Sequence, residues 1–389
     1  MFEFCSYIPT KVVFGPGKLK ELASMKLPGK KALICVTEDG LMEKLGIQGR
    51  VLQYLSQNQI ECVIYDKVTP NPTRKGVMEA AELAKTENCD FFIGLGGGSS
   101  IDTAKAASIM MVNEGDLWDY AQAGTGGRKE VKGAFPVMTI TTTAGTGTEC
   151  DPWCVITNEQ TKEKLDFGTD AVFPVISVID PELMLTLPRT LTLYQGFDAL
   201  FHAVECYIAT CGCKLTDIYC LEAVKLITRW LPVVAEDGEN LEARVNISYA
   251  ANVLCGFAQS LSATISPHII GQCMSGLFPG FVHGASLIVT AEAYYKLVID
   301  RGYVSDKFQE LGRAMGEEQE EGRPGSSFLS GLTKLLAQTE MRDLPMSQFG
   351  VRKEDIKRIA EISTGIGFDF DPYVLTKEDV EEILEKSYR

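Results

Sequence analysis

The sequence predicts two domains of different architecture: an α/β domain built on a mostly parallel sheet, followed by an all-helical domain. Three observations carry this expectation. In the first half of the chain, short β-branched runs alternate with helical patterns, which is the signature of βαβ units. Between Pro181 and Pro188 that alternation stops. Beyond it, apolar residues recur at three- and four-residue spacing, and β-branched runs bounded by turns nearly vanish. We place the domains at residues 1–187 and 188–389. A length of 389 residues gives room for about two domains with ample core.

Taken in order, Lys31–Val36 and Glu61–Tyr65 are apolar runs of strand length, and Gly76–Lys85 repeats its apolar residues with a helical period. Phe91-Phe-Ile-Gly-Leu-Gly-Gly-Gly-Ser-Ser-Ile-Asp102 begins as a buried strand, breaks into glycines and continues as the start of a small-residue helix. That arrangement lets backbone N–H groups approach a pyrophosphate at the positive end of a helix. It departs from Gly-x-Gly-x-x-Gly, and a tight turn alone would also use such glycines. A second strand, Phe135–Ile140, enters another loop of small donors, Thr141-Thr-Thr-Ala-Gly-Thr-Gly-Thr-Glu149. Two such loops favour a dinucleotide site over coincidental turns. Val175–Ile179 is the last strand-like run.

Past Pro188, Gln195–Glu205 reads as a helix on which Asp198 and His202 leave the same face one turn apart. Leu221, Val224, Leu226, Ile227 and Leu231 mark the next helix. His268 opens an apolar helical stretch, and His283 follows a Pro279-Gly280 turn, so a short helix and a loop could return both imidazoles to one point. These are the only three histidines of the chain. An Asp-x-x-x-His pair by itself also suits a solvated helix face. Together, one carboxylate and three neutral imidazoles make a borderline donor set, suited to iron or zinc rather than calcium or magnesium, and leave a divalent site net cationic. Gly312–Gly322 reads as a charged, solvated connection.

The net charge of −15 argues against a nucleic-acid partner, because phosphate binding needs a cationic surface. No run of about eighteen apolar residues and no signal-peptide pattern occurs, so a cytoplasmic enzyme without a membrane partner is expected. The twelve cysteines are scattered. Cys211-Gly-Cys213 is too close for a structural zinc knuckle, and Cys35, Cys154 and Cys255 read as small buried hydrophobes in a reducing compartment.

Gly96-Gly-Gly-Ser-Ser-Ile-Asp102, Thr142–Glu149, Asp198-Ala-Leu-Phe-His-Ala-Val-Glu205 and His283-Gly together resemble the iron-containing (group III) alcohol dehydrogenase family. The likeness runs end to end: Pro9–Gly15 resembles the family's first strand, Pro70–Thr73 a βα loop, Asp180–Leu183 the domain junction and Leu375–Val380 the last helix. It implies a Rossmann-like dinucleotide-binding domain followed by an all-α metal-binding domain, the fold shared with dehydroquinate synthase. It also implies a homo-oligomer, a dimer by family likeness, acting on a small alcohol or aldehyde. Asn71, Gly97, Gly98, Ser99, Asp102, Thr142, Thr143, Thr146, Val155, Lys164 and Leu183 fall on cofactor positions. Asp102, Lys164 and Gln272 fall on catalytic ones, and Asp198, His202, His268 and His283 on the metal ligands. Lys164 also reads as a surface lysine.

Glu38 follows the second strand, where a carboxylate could accept hydrogen bonds from an adenosine ribose and repel a 2′-phosphate. The resemblance puts it at the position that separates NAD from NADP members, while a helix-start acid is the other reading. Two features depart from the family. Many members carry a second histidine where Gln272 stands, and Gln272 can hydrogen-bond but cannot take up a proton near neutrality. The loop before His283 is one residue longer, so an ungapped count falls on Ile269 instead of His268. The expected activity is NAD-dependent hydride transfer with Fe2+ or Zn2+, NADP remaining open. Alternatives are a polyol or maleylacetate-type reductase, a dehydroquinate-synthase-like lyase that uses NAD transiently, and a non-catalytic nucleotide-binding module.

Overall fold

The computed structural model describes residues 3–318 and 324–389. The chain divides into two compact units, one spanning Tyr7–Thr186 and the other made chiefly of Leu187–Arg389.

The strands of the first unit are β1 Lys11–Phe14, β2 Lys31–Thr37, β3 Glu61–Val68, β4 Phe91–Gly96, β5 Val137–Thr141, β6 Trp153–Thr157, β7 Lys164–Gly168 and β8 Ile176–Ile179. Six of them form a parallel sheet in the order β1-β8-β5-β4-β2-β3. β4, β5 and β8 are buried at every position. Strands covered on both faces by crossover helices have no polar alternation, which is why these read as continuous apolar runs. β2 is flanked by β3 on one side and β4 on the other, so the chain's progress across the sheet reverses there. In an open parallel sheet, the crevice at the carboxyl ends of such a strand pair is the place where ligands bind.

The crossover helices follow from local chemistry. Arg74–Thr86 starts at Thr73, whose hydroxyl accepts the Gly76 N–H at 3.1 Å and so satisfies one otherwise orphaned donor. It buries Val77, Ala80, Ala81 and Ala84 as one stripe. Gly98–Ile109 is buried almost throughout and presents no exposed face to solvent.

One element differs from expectation. β6 and β7 pair antiparallel and lie outside the main sheet. The turn between them is nucleated by Asn158, whose side-chain oxygen accepts the Gln160 N–H at 3.0 Å. Its two five-residue strands follow each other directly, with no helix between them, and so fall outside the βαβ alternation that revealed the others.

The second unit is helical, and among the described residues no strand follows β8. Its core contains a run of stacked and edge-on rings, Phe197, Phe201, Tyr295, Phe328 and Phe308, which ties the Arg189–Ile208 helix to the later helices. Gly312–Gly322 is only partly the solvated connection expected from its charges. Gly312 lies buried in the last turn of the Ser305–Ala314 helix, where a Cβ would collide with Ser327, so packing extends the helix into the charged segment. Residues 319–322 of that stretch lie outside the described residues. All twelve cysteines are free thiols, nine of them buried, as small hydrophobes are.

Candidate functional site

Two constellations emerge, one in each unit. In the first, β4 ends in the glycine cluster and the Gly98–Ile109 helix begins. A Cβ on Gly97 would lie 3.0 Å from Thr143 Cγ2, and one on Gly98 2.8 Å from Thr146 Cγ2. The second small-residue loop therefore lies against the first, and only glycine permits that approach. Thr142 joins them through its N–H, which donates to the Gly96 carbonyl at 2.9 Å. Gly98 and Ser99 occupy the first turn of the helix, where backbone N–H groups have no intrahelical acceptor and the helix dipole is positive.

Asp102 sits one turn further on. Its Oδ1 accepts the Thr148 hydroxyl at 2.9 Å and its Oδ2 the Val155 N–H at 3.0 Å. Burial pushes its carboxyl up to about 6, against the pull of Lys105 and these hydrogen bonds. Lys105 was given no role by the sequence, although it lies three residues after Asp102 on the same face. It is fully buried, and its Nζ donates to Thr148 Oγ1 at 2.9 Å, to the Asp151 and Trp153 carbonyls at 2.8 Å, and to Asp151 Oδ1 at 3.2 Å. Asp102 and Lys105 thus hold the Thr142–Val155 segment against the helix.

Val155 and Lys164 are brought close by the β6–β7 pairing. Lys164 is only 8% exposed, so it is no surface lysine, and its Nζ donates to Asn71 Oδ1 at 2.7 Å. Asn71 itself stands at φ 60°, a left-handed conformation that asparagine tolerates better than most residues. Glu38 is exposed just past β2. The helix-start acid there is its neighbour: Asp39 Oδ1 accepts the Leu41 N–H at 3.0 Å. Leu183 lies in a 3₁₀ turn, and its side chain belongs to the sheet's apolar core.

The second constellation stands on three helices, Arg189–Ile208, Ser266–Leu277 and His283–Asp300. Asp198 Oδ1 lies 3.9 Å from His202 Nε2, 3.4 Å from His268 Nε2 and 3.8 Å from His283 Nε2. Asp198, His202 and His268 are buried, with donor atoms all within 4.8 Å of one another; His283 completes the set through Asp198 and is 23% exposed in its side chain. Gly284 allows this convergence, because any Cβ there would strike the Tyr194 backbone and push the third helix off the first.

These residues fit a metal ion. Donor atoms each about 2.0–2.2 Å from one ion stand roughly 3–3.5 Å from each other, close to the spacing here. Asp198 Oδ1 and His268 Nε2 are buried, 3.4 Å apart and without a well-formed hydrogen bond to another group, and an ion between them would satisfy both. Burial alone would raise Asp198, yet the facing imidazoles, His202 foremost, hold its carboxyl well below the ordinary carboxylate range. Gln272 is half-buried on the second helix, one turn after His268.

Sequence reasoning gave Glu205 no role, although it closes the Asp198 motif three residues after His202. It is fully buried, and its Oε1 stands 2.7 Å from His268 Nδ1. Burial works against the His268 cation, but Glu205 and Asp198 outweigh it and raise His268 to about 9.

The model for iron-containing alcohol dehydrogenases matches residues 9–181, and that for the C-terminal domain of the Fe-containing alcohol dehydrogenase family matches residues 192–388. The chain is 30% identical over 387 residues to an NAD-dependent methanol dehydrogenase of Bacillus methanolicus, covering 98% of this chain and 99% of the other. It is 31% identical over 400 residues to a 1,3-propanediol dehydrogenase of Klebsiella pneumoniae, covering 100% and 99%. Among solved structures, an NADH-dependent butanol dehydrogenase of Thermotoga maritima superposes with a TM-score of 0.89 at 29% identity, covering 100% of this chain and 99% of that one.

Proposed function

Because the chain belongs to the iron-containing alcohol dehydrogenase family, we propose that it interconverts a small alcohol and its aldehyde with NAD in preference to NADP, using iron or zinc held by Asp198, His202, His268 and His283. The observation that carries the metal part is the convergence of three Nε2 atoms on one buried carboxylate oxygen. In this reading, residues 1–187 hold the cofactor and residues 188–389 the ion and the substrate. When bound, the ion supplies Lewis acidity to the substrate oxygen and the nicotinamide accepts or returns a hydride.

The chain's own residues supply the rest. Gly97, Gly98 and Ser99 offer N–H groups to a pyrophosphate at the helix start, and Thr142, Thr143 and Thr146 border it with small polar groups. Asn71 fixes the direction of the Lys164 ammonium, whose charge then lies beside the cofactor. Asp102 acts through geometry, keeping Thr148 and Val155 in place. Leu183 contributes the turn that its buried side chain anchors. Glu38 faces the ribose and disfavours a 2′-phosphate. Gln272 orients a hydroxyl or water by hydrogen bonding and leaves proton uptake to another group.

The names of two relatives, one NAD-dependent and one NADH-dependent, support the cofactor choice. We read the protein as a cytoplasmic homodimer; no helix among the described residues is long and apolar enough to cross a membrane. Screening short alcohols and aldehydes with either cofactor on Fe2+- or Zn2+-loaded protein tests the proposal. Turnover with a net change in the reduced-nicotinamide absorbance is expected. Turnover without it would point to transient cofactor use, and an absence of bound metal on elemental analysis would remove the mechanism.

A further inference from the structure

The Ser266–Leu277 helix begins between two buried carboxyl groups. Glu205, from the Arg189–Ile208 helix, accepts the Ile265 N–H through Oε2 at 2.8 Å and meets His268 Nδ1 through Oε1 at 2.7 Å. Asp371, from the C-terminal segment, accepts the Ser266 N–H at 3.0 Å and the Ser266 hydroxyl, and also the Tyr294 hydroxyl at 3.1 Å. Both acids sit at the positive end of the helix, which eases their burial. Asp371 meets only backbone and hydroxyl groups. Glu205 alone reaches a ring that belongs to the metal set, and it does so from the ring's far side.

We propose that Glu205 is the positioning residue of the metal centre. An imidazole has two distinct nitrogens, and the partner of one decides which carries the proton. With Glu205 Oε1 as acceptor, the neutral ring that a metal ion requires keeps its proton on Nδ1, and Nε2 is the nitrogen left to ligate, on the side facing Asp198 Oδ1. Oε2 accepts the Ile265 N–H, and with this tautomer Oε1 accepts as well, as both oxygens of a carboxylate do. The buried surroundings of a divalent ion then contain two negative groups rather than one, which changes the net cationic balance expected from the four ligands. Glu205 touches neither ion nor substrate. Its effect passes through His268, and the inference rests on the ligand set proposed above.

A purely structural role, capping Ile265, makes a different prediction from a positioning role. Glutamine keeps the volume of Glu205 but has a single acceptor oxygen for two donors, so Glu205→Gln can satisfy Ile265 or His268, not both. Zinc affinity, measured by competition with a chromophoric chelator, is expected to fall about 10–100-fold in Glu205→Gln while the metal-free variant keeps its circular dichroism. Because the chain has only three histidines, nitrogen-15 labelling of histidine gives a second readout on the wild type itself. In zinc-loaded protein, one imidazole should show a hydrogen-bonded Nδ1–H and a metal-bound Nε2, and His268→Gln should remove that signal. Unchanged zinc affinity in Glu205→Gln, or ligation of His268 through Nδ1, overturns the inference and leaves the ligand set standing. If wild type and His202→Ala alike fail to bind zinc, the ligand set falls, and the inference falls with it.

Discussion

His268 Nε2 stands 3.4 Å from Asp198 Oδ1, although an ungapped count back from His283 falls on Ile269. Between the two helices that carry His268 and His283, the Phe281 N–H closes a turn on the Phe278 carbonyl at 2.8 Å. If the four ligands act as one site, His202→Ala removes metal and turnover while the variant still binds NAD. Elemental analysis and cofactor titration on the same preparation check this; full activity in metal-stripped protein would sink it.

Gln272 offers a pH test. Substitution by histidine places a group with a reference pKa of about 6.5 one turn after His268. Where the deprotonated ring serves as base, kcat/KM of Gln272→His should bend downward as pH falls through that range, a feature wild type lacks. An identical pair of profiles would mark this position as packing.

Glu38 is exposed past β2, and the helix-start role is filled by Asp39. A charge-assisted hydrogen bond to the ribose contributes roughly 1.5–3 kcal/mol. Glu38→Gly should therefore weaken NAD by about one to two powers of ten and narrow its margin over NADP. Steady-state constants for both cofactors decide; a wild type that prefers NADP contradicts the assignment.

Lys105 makes four polar contacts from a fully buried position. Lys105→Met keeps the chain length but removes the cation beside the buried Asp151, leaving its Oδ1 with the Trp153 N–H at 2.8 Å, a loss on the order of 3–5 kcal/mol if the carboxylate stays charged. Thermal melting should drop by several degrees, and NAD affinity should fall because the Thr142–Val155 segment loses its anchor. A variant as stable as wild type would show that Asp151 is neutral in the folded protein. Burial does raise its carboxyl, with Lys105 opposing that shift.

Local pattern determined much of this protein. Buried parallel strands must be apolar along their whole length, so β2, β4 and β8 were visible as runs, and the glycines after β4 marked the close approach of another segment. Asp198 and His202 were legible as a pair because four residues make about one helical turn. Their meeting with His268 and His283 was an expectation that only folding could test, since nothing in sequence spacing fixes how three helices cross. Gly284 against the Tyr194 backbone decides that crossing.

Long-range partnerships were decided by tertiary structure alone. Lys164 bonds Asn71 across 93 residues, Glu205 meets His268 across 63, and Asp371 caps Ser266 across 105. Each pairs groups whose types are common and whose separation follows no period, so the sequence offers no signal to connect them. A buried polar group must find a partner wherever the packed chain happens to bring one, and that place exists only after the apolar faces have chosen their neighbours.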